Sequence, residues 1–479
     1  MNSFNVLPAL PEIFVFSMAS LILVVDLFLK PSQRALSYYL AQATLIGAAL
    51  LSVYGIGASS VTIFERMFVD DLLADVLKLA IYMTTFFVFA YSREYLRARD
   101  IFHGEYFVLG LLGVVGMMVM VSASHFLPLY LGLELMSLSL YAMIAFQRDS
   151  VPATEAAMKY FVLGAIASGM LLYGMSMLYG ATGSLEIARV HQALTSASHD
   201  DMVLIFGLVF VVVGVAFKLG AVPFHMWVPD VYHGAPTSVT LYVGTVPKIA
   251  AAALVLRLLI GGLGPLASSW ADMLTILAVL SMGLGNVIAI AQENIKRMLA
   301  YSSISHMGFF LLGIVSATPD GYSAAVFYTL VYVVMSLGSF GMVLLLSRAG
   351  FEADKLDDFR GLNQRSPWYA FLMLLLMFSM AGVPPTAGFM AKFQVIQAVV
   401  RTGQLWLAVT AVLFAVIGAY YYLRVVKLMY FDDAVEREPI AAPRGMRSLL
   451  TLNVLALLLS VPWIGALMDL CQLVIRSIA

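Results

Sequence analysis

The sequence predicts an all-α protein that crosses a membrane about fourteen times. Hydrophobic residues make up 62% of the 479 residues and charged residues only 11%, and the mean hydropathy is +0.93. A soluble domain carries nearer a quarter charged residues, so a water-exposed surface could not hide this much apolar area. Apolar stretches of about 20 residues, the length that crosses a bilayer, also follow one another along the whole chain.

The predicted spans are 8–29, 36–58, 72–92, 105–123, 126–146, 159–181, 202–228, 237–260, 271–291, 298–316, 321–347, 368–400, 404–430 and 449–474. The connections between them are short, so no soluble domain is expected. Glu12 and Asp26 lie within the first span, and the first basic residue, Lys30, follows it. A secretory signal has the opposite polarity, so we expect an uncleaved first span with the N-terminus outside.

Basic residues support this orientation. With the N-terminus outside, most lysine and arginine residues of the connections lie on the cytoplasmic side, among them Lys30, Arg34, Arg93, Arg148, Lys296 and Arg360. Far fewer lie outside, namely Arg66, Arg189, Arg257, Arg401 and Arg476. This bias follows the positive-inside rule. It predicts an even number of spans with both termini on the outer side.

Composition also excludes several classes of function. The net charge of −1 argues against a nucleic-acid partner, which would leave a basic excess. The single cysteine, Cys471, excludes an internal disulfide and a cysteine-ligated zinc or iron–sulfur site. Residues 262–267 loosely match a glycine-rich dinucleotide-binding pattern. They lie between two predicted spans with no strand before them, so we interpret the match as chance.

Two proline-containing stretches, 218–227 and 380–389, predict broken helices. Proline removes a backbone donor and clashes with the preceding turn, and a break at membrane depth survives only within protein or beside water. Both stretches share a core of two small residues, valine and proline, which suggests an internal repeat. The breaks fall in predicted helices seven and twelve, five apart, so they run in opposite directions and the repeat is inverted.

Four ionisable residues lie deep in predicted spans: Glu134, Lys218, Lys248 and Lys392. A charge at the bilayer centre costs about 2.5–3.5 kcal/mol on insertion scales, and such residues mark ion paths. Burial destabilises the charged form of a lysine, whereas a nearby carboxylate stabilises it. A pair of Glu134 and Lys218 is therefore a candidate proton switch, with a purely structural ion pair as the alternative.

Two histidines are further candidates for a proton relay, because imidazole titrates near neutrality. His225 follows the first break by two residues, and His306 lies within predicted helix ten. For His225 a relay and a hydrogen-bonded structural role remain equal alternatives, whereas the depth of His306 favours a relay.

Two long runs carry a family resemblance. They are FKLGAVPFHMWVPDVYHGAPT at 217–237 and KRMLAYSSISHMG at 296–308. Both closely resemble the antiporter-like proton-translocating subunits of respiratory complex I, NADH–quinone oxidoreductase. Within that family the chain is most similar to subunit N, because it ends at helix fourteen, carries Lys392 in helix twelve and begins with LPALPEI at 7–13. One departure is Pro247, where a small polar residue is expected.

The resemblance implies a site and a setting. Glu134 and Lys218 match the family's glutamate–lysine pair, Lys248 the central lysine, and Lys392 the terminal lysine. The implied architecture has three N-terminal spans in 1–104, a first five-helix repeat in 105–260, a second inverted repeat in 261–430, and a last connection and span in 431–479. The implied location is the bacterial inner membrane, beside other antiporter-like subunits. NADH, FMN, iron–sulfur clusters and a quinone such as ubiquinone are expected in partner subunits, with no cofactor in this chain.

Three hypotheses about the function remain open from the sequence. The first is a non-redox subunit of a translocase that couples NADH oxidation and quinone reduction to proton pumping. The second is a subunit of a multisubunit sodium/proton antiporter or of a membrane-bound hydrogenase. The third is a structural membrane scaffold, in which the buried lysines could be replaced without cost.

Overall fold

A computed structural model describes residues 6–57, 60–196, 202–347, 350–434, 438–440 and 442–478. In this part of the chain twelve helices are long and apolar enough to span a membrane, and a thirteenth span is formed if the pair Arg444–Leu459 and Val461–Arg476, bent by 51°, is counted as one. Predicted span 368–400 consists of two shorter helices around a break. The all-helical polytopic fold is confirmed, whereas the count of fourteen, the inverted repeat and the domain boundaries stay predictions.

The helices are α1 (Leu10–Asp26), α2 (Ala35–Gly55), α3 (Leu72–Ala98), α4 (Gly104–Val121), α5 (Phe126–Ile144), α6 (Val151–Thr182), α7 (Ile187–Ser196), α8 (Met202–Leu219), α9 (Trp227–Gly234), α10 (Thr237–Val255), α11 (Ala267–Ile290), α12 (Ile295–Val315), α13 (Pro319–Leu346), α14 (Leu362–Arg365), α15 (Pro367–Ala381), α16 (Ala387–Arg401), α17 (Leu405–Phe431), α18 (Arg444–Leu459) and α19 (Ile464–Arg476). The amphipathic helix α7 lies in a segment predicted as a connection, and it buries Ile187, Val190 and Leu194.

A small hairpin also occupies a segment predicted as a connection. Strands β1 (Val61–Ile63) and β2 (Phe68–Asp70) pair antiparallel, with Val61 opposite Asp70. Three successive residues with positive φ, Phe64, Glu65 and Arg66, form the turn. The next residue, Asp71, accepts a hydrogen bond from Ala74 N at 2.8 Å and so caps α3.

The centre of the molecule is formed by α10, α12 and α13, which are buried along nearly their whole length. Helices α1, α6 and α17 are the least buried of the spanning helices, as expected for helices that face lipid or a partner. Lys248 lies on α10 and His306 on α12, each only 2% exposed. These two side chains therefore sit inside protein and cannot reach a membrane surface by extending.

Buried ion pairs hold the N-terminal helices. Lys78 on α3 is 1% exposed, and its Nζ lies 2.7 Å from Glu12 Oε1 of α1. Arg257 follows α10 in a π-helical turn, Leu256–Gly262, and binds Asp71 through two hydrogen bonds of 2.7 Å. The burial of Lys78 means that pairing, and not extension to the membrane surface, compensates its charge.

Candidate functional site

The two helix breaks have the same local geometry. Helix α8 ends before Gly220 and α15 ends before Gly382, and both glycines have positive φ, +76° and +84°. In each break the residue after the glycine donates to a carbonyl five residues back, Ala221 N to Ala216 O and Val383 N to Phe378 O, both at 2.9 Å. This is the Schellman ending, in which glycine is favoured because it has no Cβ.

The glycines show how the two breaks correspond locally. Gly220 and Gly382 each have positive φ and each precede the residue that donates to a carbonyl five residues back, so they occupy the same place at the two breaks. Each break also contains a cis X–Pro bond, Val222–Pro223 in the first and Pro384–Pro385 in the second.

A lysine ammonium binds the freed carbonyl groups at each break. Lys248 Nζ on α10 donates to Leu219 O at 2.7 Å, and Lys392 Nζ on α16 donates to Met380 O and Ala381 O at 2.9 and 3.0 Å. The last carbonyls of a helix lack intrahelical partners and carry the negative end of the helix dipole. Two of the predicted lysines thus occupy equivalent places at the two breaks.

Lys218 and Glu134 are close but not joined. Lys218 Nζ donates to Ser137 Oγ at 2.8 Å, and Glu134 lies one turn before Ser137 on α5. Glu134 is within Coulombic range of Lys218, but among the described residues no ion pair connects them, and Glu134 Oε1 is buried without a hydrogen-bond partner. Glu134 is also only partly buried. The proposed direct pair is therefore absent in this geometry, because Ser137 takes its place.

A small cavity connects the first two lysines. Lys218 and Lys248 both line an enclosed space of about 10 Å³, together with Tyr160, Trp227 and Pro247. That is about the volume that one water molecule needs. Trp227 forms one wall, with Lys248 Nζ 5.7 Å from its ring and Tyr160 stacked on it at 4.5 Å.

Pro247 does not interrupt α10. The helix runs continuously from Thr237 to Val255 and presents Lys248 to the break.

The two histidines have different environments. Both ring nitrogens of His306 are bound by tyrosine hydroxyls, Nδ1 by Tyr328 at 2.7 Å and Nε2 by Tyr422 at 3.1 Å. Lys392 Nζ lies 4.9 Å from the ring of Phe309, which is on the same helix as His306 and one turn after it. His225 lies in the first break, half-buried, with Nδ1 lacking a hydrogen-bond partner among the described residues. The structure thus associates His306 with Lys392, and places His225 apart from both.

Ser137, Tyr328, Tyr422 and the carbonyl of Leu219 belong to the site but were not predicted. A serine, a tyrosine or a main-chain carbonyl in an apolar helix gives no signal in a single sequence. The glycine two residues after Lys218 was the one available clue, because glycine before a proline break is typical of a helix end.

Within the described residues, no group of three or more His, Cys, Asp or Glu side chains could hold a metal ion. Buried ammonium groups at the ends of broken helices instead define an ion-translocating membrane protein.

Comparison with known proteins narrows this class. A family model described as "NADH:quinone oxidoreductase/Mrp antiporter, TM" matches residues 123–418. The chain is 60% identical over 465 residues to NADH-quinone oxidoreductase subunit N of Thioalkalivibrio sulfidiphilus (strain HL-EbGR7), covering 97% of each chain. It is 63% identical over 451 residues to the same subunit of Thiobacillus denitrificans (strain ATCC 25259 / T1), covering 94% of this chain and 93% of that one.

Solved structures of membrane complexes contain chains with the same fold. A chain of respiratory complex I from Thermus thermophilus with bound aureothin superposes with a TM-score of 0.82 at 28% identity, covering 96% of this chain and 99% of that chain. A chain of the Mrp complex from Dietzia sp. DQ12-45-1b has a TM-score of 0.85 at 19% identity, covering 99% and 97%, which shows a shared fold alone. The chain belongs to the subunit N family of NADH–quinone oxidoreductase, the antiporter-like proton-translocating membrane subunits.

Proposed function

We propose that this chain moves protons across the bacterial inner membrane through Glu134, Lys218, Lys248, His306 and Lys392. The position of Lys248 and Lys392 is the main support. Each ammonium binds carbonyl oxygens at a helix break, and no carboxylate lies within ion-pair distance of either in the described part of the chain. A buried ammonium without an anionic partner holds its proton less firmly than a paired one, because burial opposes the charge and nothing fully offsets it.

Each lysine would alternate between ammonium and neutral amine. The carbonyl oxygens of the helix end stabilise the ammonium, so a small displacement of the break removes that stabilisation and favours proton release. Lys248 and Lys218 line a cavity with room for about one water. A proton leaving one amine could reach the other through a water in that cavity, with one bond broken and one formed at each oxygen or nitrogen.

Glu134 would act as the switch on this path. In the present geometry Lys218 donates to Ser137, and Glu134 remains apart. Approach of Glu134 would stabilise the protonated form of Lys218, and its withdrawal would push the proton onward. We assign to His225, which is half-buried near Pro223 in the break, the connection of this region with water.

The energy for transport would come from partner subunits. We assign NADH, FMN, the iron–sulfur clusters and the quinone to those subunits, and contacts with other antiporter-like subunits to the exposed apolar helix faces. Both termini are assigned to the outer side on the positive-inside bias.

The decisive experiment replaces Lys248 by Met in the assembled complex, with Lys427→Met as control. Lys427 is exposed near the end of α17, so its loss should leave transport unchanged. NADH-driven proton uptake by inverted membrane vesicles should fall about 100-fold in the Lys248 variant, as for loss of a proton-transfer group. Wild-type uptake in that variant, with normal assembly, would favour the scaffold reading. Sodium-dependent proton flux without NADH would favour the antiporter reading.

A further inference from the structure

His306 stands in the middle of a row of hydroxyl groups. Its Nδ1 contacts Tyr328 OH of α13 at 2.7 Å and its Nε2 contacts Tyr422 OH of α17 at 3.1 Å. Tyr422 OH lies 2.5 Å from Ser302 Oγ, one turn earlier on α12. All four residues are at most 2% exposed. Three helices thus contribute to one continuous row of hydrogen bonds.

Every member of this row can both donate and accept a hydrogen bond. A hydroxyl does both, and a neutral imidazole donates from one nitrogen and accepts at the other. The buried hydroxyl of Tyr242, by contrast, donates to the carbonyl oxygen of Gly110 at 2.7 Å. A carbonyl can only accept, so a proton could not pass beyond it.

The row of hydrogen bonds also runs along the axis of α12. Ser302 lies four residues nearer the Ile295 end of α12 than His306, about 6 Å along the axis. That end adjoins the C-terminal end of α17, because Arg424 donates to Ile290 O and Gln292 O. Ser302 and Tyr422 therefore lie toward one membrane face, and His306 and Tyr328 follow toward the other.

We propose that Ser302, Tyr422, His306 and Tyr328 form a proton wire beside Lys392. A proton arriving at Ser302 Oγ displaces the hydroxyl proton to Tyr422, whose own proton passes to His306 Nε2. The proton on Nδ1 moves to Tyr328, which releases its former hydroxyl proton. One proton enters and one leaves, the imidazole changes tautomer, and rotation of the hydroxyls and the ring resets the row. This inference rests on the proposed proton path and adds three residues to it.

The chain provides a second hydroxyl pair that serves as a control. Tyr332 lies one turn after Tyr328 on α13 and donates to Ser303 Oγ at 2.8 Å, beside Ser302. Tyr332 and Ser303 are each 1% exposed. The ring of Tyr332 lies 5.2 Å from that of His306, but its hydroxyl is not bonded to the imidazole. The pair Tyr332 and Ser303 is therefore as buried as the pair Tyr422 and Ser302, but only the second pair is hydrogen-bonded to His306.

The test compares Tyr328→Phe, Tyr422→Phe and Ser302→Ala with the controls Tyr332→Phe and Ser303→Ala, each in the assembled complex in inverted vesicles. The three wire variants should reduce NADH-driven proton uptake about 100-fold, as for loss of a proton-transfer group, and the controls should stay close to wild type. Ser302→Ala removes only one oxygen atom, so it remains informative if a tyrosine variant fails to assemble. The ratio of uptake rates in H2O and D2O should rise for Ser302→Ala and not for Ser303→Ala, because a slowed proton transfer becomes rate-limiting.

Equal losses in both sets would show that these hydroxyls matter for packing alone and would overturn the wire. Normal uptake in all three wire variants would overturn it as well. Lys392→Ala measured in parallel separates the two proposals: if that variant is impaired while the wire variants pump normally, only the wire fails. Normal uptake by Lys392→Ala would instead reject Lys392 as part of the proposed path.

Discussion

Lys248 Nζ lies 2.7 Å from the carbonyl oxygen of Leu219, the last residue of α8. Lys392 has the same relation to Ala381, the last residue of α15, at 3.0 Å. Each lysine thus satisfies a carbonyl that the break deprives of its helical donor. Because the ammonium and the helix end stabilise each other, protonation of the lysine and the conformation of the break must be coupled.

Gly382 gives a way to disturb this coupling without touching the lysine. A Cβ at residue 382 would lie 2.9 Å from Lys392 Cδ, so Gly382→Ala must displace the lysine stem. Gly403→Ala is the matched control, since Gly403 has a similar positive φ of +80° and open space around it. Both variants place an alanine in the left-handed region, at a backbone cost of about 1–2 kcal/mol. We expect NADH-driven proton uptake to fall severalfold in Gly382→Ala only; equal effects in both would trace the loss to the backbone.

Lys218→Ala is expected to reduce proton pumping and the coupled quinone reduction about 100-fold, as for loss of a proton-transfer group. The lysine is buried at the end of α8 and forms one wall of the cavity that it shares with Lys248. The measurement is proton uptake and NADH–quinone activity in vesicles in which the amount of assembled complex has been checked. Unchanged pumping at normal assembly would remove Lys218 from the path.

Substitutions of Lys392 test whether its side chain gains and loses a proton or only provides a fixed charge. Lys392→Ala should impair pumping, and Lys392→Arg should not restore it, because a guanidinium does not lose its proton at any accessible pH. Pumping rates of the two variants and wild type, compared in the same vesicles, decide the matter. Full activity of the arginine variant would show that Lys392 provides charge alone.

The fold and the charged residues of the site could be predicted from the sequence because a lipid environment requires long apolar helices, and a charged residue within such a helix is rare. Long apolar stretches leave few alternatives to helices, and Lys218, Lys248 and Lys392 stand out because charge is costly among them. The breaks were predictable from Pro223 and Pro384, since proline cannot continue a helix.

The contacts within the site could not be predicted for an equally physical reason. The partner of Lys248 is a main-chain carbonyl, which every residue possesses, and the partner of Lys218 is Ser137, one of many serines in apolar helices. Of the two tyrosines that bind His306, Tyr328 lies on the next helix, and Tyr422 lies 116 residues away along the chain. A single sequence contains no information about which helices pack together at that depth.

Arg257 and Asp71 provide a test of stability outside the proton path. Arg257→Met would leave the buried carboxylate of Asp71 without its two hydrogen bonds, at a cost of about 3–5 kcal/mol. The control is Arg401→Met, whose pair with Asp320 is exposed and should contribute at most about 1 kcal/mol. Heating of the purified complex should cause earlier disassembly in the Arg257 variant only. Equal thermal profiles would show that water or another cation compensates Asp71.

The last prediction concerns Glu134 and Lys218, which the structure finds apart, with Ser137 bound to the lysine. If Glu134 approaches Lys218 during each cycle, Glu134→Gln should slow pumping, because the lysine loses the anion that favours its protonated form. Its effect should then not add to that of Lys218→Met, since residues that act on one another are coupled in a double-mutant cycle.

The experiment needs wild type, Glu134→Gln, Lys218→Met and the double variant, each scored by proton uptake per assembled complex. Ser137→Ala adds a fifth member, because it removes the lysine's present partner and leaves both charges in place. If Ser137 holds the lysine away from Glu134, Ser137→Ala should change pumping in wild type and have no effect where Glu134 is already Gln. Losses that multiply as independent effects would reject the switch, even where each residue is separately required, because a switch demands that neither residue works without the other.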